Sequence, residues 1–186
     1  MKARLLLAPA LAAVLSACVH TPAPAYAPGV DNLRALRAGP ATPLAVGDFD
    51  ADAKVDDGRL GGLRGSSMSG GEDGLFSTYL QHALEAELRQ AGRLDPGAPL
   101  RLEGTLLRNQ LSANSGSTGY ANVSARFVLR RGEAVVFEKE LSAREEWESS
   151  FMGAIAIPAG MQGYVATVQK LAGTLFADPD FQAAIR

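Results

Sequence analysis

From residue 75 to residue 91 the apolar side chains Leu75, Phe76, Tyr79, Leu80, Ala83, Leu84, Leu88 and Ala91 recur at intervals of three and four. That spacing gathers side chains on one face of an α-helix. Gln81, Glu85, Glu87, Arg89 and Gln90 are read as its wet side, with His82 at the boundary of the stripe, and Gly92 is placed to end it with a left-handed cap. Met161, Tyr164, Val165, Val168, Leu171, Ala172, Leu175 and Phe176 form a second stripe of the same kind. It predicts a helix over 158–176, with Pro158 in the first turn, where a missing N–H breaks no bond. Asp178-Pro179 then stops or redirects the chain, ahead of a short turn over 181–185.

Between the helices the period changes to two. Leu100, Leu102 and Leu106 alternate with polar residues, as do Ala121, Val123, Ala125, Phe127 and Leu129, which is the pattern of strands with one face on a core. Residues 112–119 join these strands as a flexible hairpin loop, and Arg131-Gly132-Glu133 makes a tight turn into a third strand over 134–147. Lys139 breaks the apolar phase of Val135, Phe137 and Leu141, which marks a bulge or a sheet edge. Leu44, Val46 and Phe49 add a first strand over 43–49. The order β, α, β, β, β, α predicts an α+β fold: a four-stranded, mainly antiparallel sheet packed on one face by two amphipathic helices.

The remaining segments read as connections. Asp31 is placed to cap a short helical turn through Leu33 and Leu36 that ends near Gly39-Pro40. Residues 50–74 carry many Gly, Ser and Asp and few large apolar side chains, which predicts a long loop. Residues 19–29, with Pro22, Pro24 and Pro28, read as an extended, poorly packed tether reaching about 30 Å.

The first 18 residues differ from everything after them. Lys2 and Arg4 precede an apolar run over 5–15, and Leu15-Ser16-Ala17-Cys18 places the single cysteine of the chain behind small residues. That run is about half the ~20 residues needed to span a bilayer, so it reads as a signal and not an anchor. The expected division is a signal peptide over 1–17, Cys18 and the tether over 18–29, and one domain over 30–186. Removal of 1–17 would leave 169 residues, enough for one domain with its own core. It would lower Lys and Arg from 18 to 16 against 20 acids, a net charge of about −4. A mildly acidic domain argues against nucleic acid, whose phosphates require clustered Lys and Arg. One cysteine excludes an intramolecular disulfide.

Candidate chemistry is sparse. The glycine-rich stretch over 58–74 precedes a helix but lacks the Gly-Lys-Ser/Thr ending of a phosphate-binding loop, and Glu72 and Asp73 would face any anion there. Arg59, Arg64, Ser66 and Ser67 remain candidates for contact with an acidic partner or a lipid head group. No Gly-x-Ser-x-Gly elbow is present, and His82 is the one folded-domain histidine that could act as a base. The adjacent acids Asp56-Asp57, Glu72-Asp73 and Glu145-Glu146 read as solvated charges, because neighbouring side chains point apart. Neither His20 nor His82 belongs to a metal-ligand pattern. Trp147, Phe151 and Met152 lie in a charged-to-apolar connector over 145–158 that either staples the last strand to the next helix or contacts a partner or lipid. The expectation is therefore no catalytic residue, no metal and no cofactor.

Leu15-Ser16-Ala17-Cys18 resembles a bacterial lipobox. The resemblance implies that Cys18 carries a diacylglycerol on its sulfur and an N-acyl chain, and begins the mature protein. With the element order over 43–181, the chain resembles small Gram-negative envelope lipoproteins, a group including ABC-transport auxiliary, LptE-like and YajG-like proteins. In that group the residue after the lipidated cysteine influences sorting. Val19 is not the Asp linked to inner-membrane retention, which implies the periplasmic face of the outer membrane. The function expected is a non-enzymatic adaptor of an envelope transport or assembly system, with a protein partner in the envelope and the membrane bound through the lipid. A carrier of a lipid or small apolar ligand and a hydrolase are the alternatives.

Overall fold

The computed structural model describes residues 20–113 and 116–186. Cys18, its signal segment and the lipobox lie outside them, as do Asn114 and Ser115 of the hairpin loop. The described chain runs β1 (His20–Pro22), α1 (Val30–Ala38), β2 (Ala45–Ala51), β3 (Leu60–Leu63), β4 (Ser66–Ser69), α2 (Phe76–Ala91), β5 (Leu100–Ser112), β6 (Thr118–Arg131), β7 (Ala134–Glu148), α3 (Gly153–Ala177) and α4 (Pro179–Ala184).

The expected four-stranded sheet has the order β2-β5-β6-β7. Its β5-β6 and β6-β7 pairs are antiparallel and β2 joins β5 in parallel, so the sheet is mixed. Strict alternation along β6 puts Ala121, Val123, Ala125, Phe127 and Leu129 on the buried face. On that face α2 packs over β2 and β5, and α3 over β6 and β7. Phe76, Leu84 and Leu88 of α2 meet Tyr164, Leu171 and Phe176 of α3 in one core with the strands. The opposite face carries ion pairs, among them Arg130 to Glu103 at 3.0 Å and Arg126 to Glu140 at 2.8 Å. The strand β7 is an edge, as Lys139 suggested, and the extra residue of its bulge is Val136, between the pairs Leu129–Phe137 and Arg130–Val135. Gly92 ends α2 at φ 70°, as expected.

Several expectations need correction. Residues 50–74 are not a plain loop, because β3 and β4 form a hairpin inside them and β1 adds to β4, making a second sheet of order β1-β4-β3. Arg64 and Gly65 form its two-residue turn with φ of 53° and 84°, the left-handed pair that suits the twist of a tight hairpin. The hairpin was hidden because its strands are four residues long and rich in Gly and Ser. The Gly62 position, at φ 97°, lies so close to the Leu111 carbonyl that a Cβ would sit 2.0 Å from its oxygen. Only glycine lets β3 approach β5 there.

The residues expected to form a loose tether are packed against the domain over 20–29. Ala23 is buried and donates its N–H to the Ser69 carbonyl at 2.9 Å, and the Tyr26 hydroxyl reaches Glu87 at 2.7 Å. Proline removed donors but left the carbonyls and the spaces for Ala23 and Tyr26, so the segment docks as an extended strand edge. Helix α1 lies across α2 and α3. Gly29 and not Asp31 occupies its N-cap position, while Asp31 pairs with Arg34 one turn on. Helix α3 begins at Gly153, five residues before Pro158, so the proline stands inside the helix and removes the bond its N–H would make to Ala154.

Candidate functional site

The residues singled out in the sequence divide into those that hold the fold and those left on the surface. Trp147 belongs mainly to the first group. Its ring lies half-buried between β6 and α3, where a Cβ on Gly119 would be 2.4 Å from Nε1 and one on Gly163 would be 2.2 Å from Cε3. It staples the last strand to the following helix. Ser67 is 4% exposed and so is buried within the domain, whereas Ser66 is half-buried. Arg59 is exposed at the other end of β3 from the hairpin turn.

Arg64, Phe151 and Met152 come together. The Arg64 guanidinium donates to the Ser150 carbonyl and lies over the Phe151 ring, 5.6 Å from its centroid. Phe151 is 82% exposed, Met152 63% and Ile155 53%. The 58–74 and 147–157 segments, separate in sequence, thus meet at one end of the domain. The same end holds the β5-β6 hairpin, since Ala113 donates to the Gly62 carbonyl at 2.7 Å and Ser149 to the Ser117 carbonyl at 2.7 Å. It also holds the start of β1, because His20 pairs with Ser67, just past the Arg64-Gly65 turn.

A second cluster was missed. Glu87, placed on the wet side of its helix by the sequence reading, is fully buried. Its Oε1 accepts hydrogen bonds from the Tyr26 hydroxyl at 2.7 Å, the Gly29 N–H at 2.9 Å and Asn32 Nδ2 at 2.8 Å. Asn32 Nδ2 also donates to the Gln169 carbonyl at 2.9 Å. A buried carboxylate is tolerable only with such donors. The signal was present: Glu87 falls seven residues after Leu80 and four after Ala83, within the apolar stripe. Burial first, then the bond to Glu87, pushes the Tyr26 phenol well above its ordinary range, because both oppose a phenolate.

Asp57 likewise does more than the solvated role expected of it. Its Oδ1 accepts from the Ser77 N–H at 2.8 Å and its Oδ2 from the Ser77 hydroxyl at 2.6 Å, while its carbonyl accepts from the Phe76 N–H at 2.9 Å. These satisfy donors at the start of α2 that the chain before the helix leaves open. Asp73 assists by accepting from the Leu75 N–H at 3.1 Å. Glu145 pairs with Lys170 at 2.7 Å and Glu146 with Arg144 at 2.8 Å, so these neighbours do point apart.

The surface also carries open grooves. One of about 540 Å³ is lined by Pro22, Pro24, Tyr26, Glu72, Tyr79 and His82. Another, about 510 Å³, lies on the charged face of the main sheet among Arg101, Glu103, Arg130 and Glu133. Among the described residues no group of three or more His, Cys, Asp and Glu could hold a metal ion. Among them also, no helix is long and apolar enough to cross a membrane.

No protein-family model matches the chain, and no curated protein matches it. Solved structures do. Protein XCC0632 from Xanthomonas campestris, described by the family model DUF330, aligns with a TM-score of 0.57 at 15% identity, over 83% of this chain and 93% of that one. A Caulobacter crescentus protein aligns at 0.46 with 13% identity, over 82% and 93%. A minor lipoprotein from Acinetobacter baumannii aligns at 0.40 with 15% identity, over 73% and 90%. The first of these likenesses shows a shared fold.

Proposed function

We propose that this chain is a lipoprotein of a Gram-negative envelope, attached through Cys18 to the periplasmic face of the outer membrane, and that it serves there as a non-enzymatic adaptor in a transport or assembly system. The observation that carries the reading is the closeness of Leu15-Ser16-Ala17-Cys18 to β1, whose His20 stands two residues after Cys18. A lipid on Cys18 would attach the domain at one defined end. The far end then projects the charged sheet face and its groove among Arg101, Glu103 and Arg130 into the periplasm. Mixed charge on an open sheet face suits recognition of a protein partner, where electrostatic complementarity sets specificity. The fold shared with the Xanthomonas protein is consistent with this role and carries no activity by itself.

Two measurements test it. The intact mass of protein extracted from membranes should show an N-terminal Cys18 bearing a diacylglycerol and an acyl chain, and Cys18→Ser should abolish both modification and membrane fractionation. A photo-crosslinker at Arg101 or Arg130 should capture a defined envelope protein in cells, and recovery of no protein adduct from either position would overturn the adaptor role. The groove beside Tyr26, Tyr79 and His82 favours a second reading, a carrier of a small apolar ligand. Native mass spectrometry that finds only ligand-free protein from cell extract would remove it.

A further inference from the structure

Phe151, Met152 and Ile155 stand out as large apolar side chains left exposed beside covered neighbours. Ala156 is fully covered, and Trp147 fills the space between β6 and α3. A phenylalanine, a methionine and an isoleucine left in water where the chain enters α3 mark a contact surface. The first turn of α3 is closed by the Met152 carbonyl, which accepts from Ile155 at 3.0 Å and Ala156 at 2.9 Å, and Pro158 follows it within the same helix.

The position of the chain end identifies what covers that surface. In the parallel pairing of β1 with β4, His20 lies opposite Ser67, about 4.8 Å away. Ser67 is three residues from Arg64, and the Arg64 guanidinium stacks on Phe151. Cys18 is two residues before His20, a span of at most about 7 Å. A bilayer holding Cys18 therefore meets the domain at the end that carries Phe151. The large exposed apolar side chains of β7, Val135 and Val136, lie near the opposite end, Val135 about 44 Å along the strand from Glu148. We propose that the Phe151, Met152 and Ile155 face, with the Arg64 guanidinium beside it, seats on the phospholipid surface to which Cys18 ties the chain. The apolar side chains enter the interfacial layer while the guanidinium stays level with head-group phosphates. This rests on the anchored reading above. The acyl chains hold the protein, so the face acts by orienting the domain, with the strand end that carries Arg101, Glu103 and Arg130 held away from the membrane.

The test separates orientation from lipidation. The mature chain carrying Cys18→Ser behind an N-terminal histidine tag is tethered to nickel-chelating vesicles of phosphatidylethanolamine and phosphatidylglycerol. An environment-sensitive fluorophore is attached through Met152→Cys or, as a control, Val135→Cys. The expected result is a blue shift and quenching by doxyl-labelled phospholipid at 152 and neither at 135. Adding Phe151→Asp and Ile155→Asp should abolish the shift at 152 with an unchanged circular-dichroism spectrum, since both residues are exposed. An unshifted label at 152, or equal shifts at 152 and 135, overturns the proposal whether or not native Cys18 carries lipid. A shift that appears only after envelope protein is added overturns it in favour of a protein partner.

Discussion

The Tyr26 hydroxyl donates to Glu87 Oε1 across 2.7 Å, joining the segment that follows β1 to a carboxylate buried inside α2. Glu87→Ala strands the Tyr26, Gly29 and Asn32 donors and opens a cavity, so it should destabilise the domain by about 3 kcal/mol or more in urea unfolding. Tyr26→Phe removes one donor and should cost about 1–2 kcal/mol. Both should speed hydrogen exchange over residues 23–29 more than in β5 and β6. Equal changes throughout would mean that the bond does not specifically hold this segment.

Trp147 and Gly163 are coupled by contact. Gly163→Ala should destabilise by about 1–3 kcal/mol, because the new methyl meets the indole at 2.2 Å. With Trp147→Ala already present the same change should become neutral or stabilising by up to about 1 kcal/mol, since alanine is the better helix former. A double-mutant cycle on melting temperatures reads the coupling directly.

Asp57→Ala should cost about 1–2 kcal/mol through loss of the bonds to Ser77 at the start of α2. Its neighbour Asp56 is exposed, and Asp56→Ala should change stability by no more than about 0.5 kcal/mol. Parallel chemical denaturation of the two variants distinguishes a capping carboxylate from a solvated one.

Asp178 gives the fold an acid-sensitive joint. Burial tends to raise its carboxyl, but the Lys139 ammonium at 2.7 Å and the N–H groups of Phe181 and Asp180 outweigh it and hold the group below the usual carboxylate range. A lowered folded value means that this stabilisation is complete above the unfolded value of about 4 and is lost as pH falls through the folded value. Asp178→Asn should therefore flatten part of the decline in melting temperature below about pH 4. Lys139→Ala should move the Asp178 titration, followed by NMR, upward toward the ordinary range.

The sequence legibly encodes those elements whose neighbours repeat a rule. The stripe from Phe76 to Leu88, the alternation from Ala121 to Leu129 and the left-handed Gly92 each carry a local signal strong enough to specify type and buried face. The signal weakens where strands shorten. Leu60–Leu63 and Ser66–Ser69 have too few apolar residues to show a period, and they are strands because β1 and the Leu111 backbone lie beside them. Pro158 misled in the other direction: it suits a first turn, yet the helix extends back through Ile155 to Gly153.

By itself the sequence determined the α+β class and the sheet with its two covering helices, and it carries in Leu15-Ser16-Ala17-Cys18 a segment that resembles a lipobox. Those follow from periodicity and short motifs, which act within a few residues of chain. Only the tertiary structure decided that Glu87 points inward to Tyr26, that residues 20–29 lie on the domain, and that Arg64, Phe151 and the start of β1 share one end. These relationships join residues dozens of positions apart, and they depend on which surfaces meet once the helices settle on the sheet, which no local pattern records.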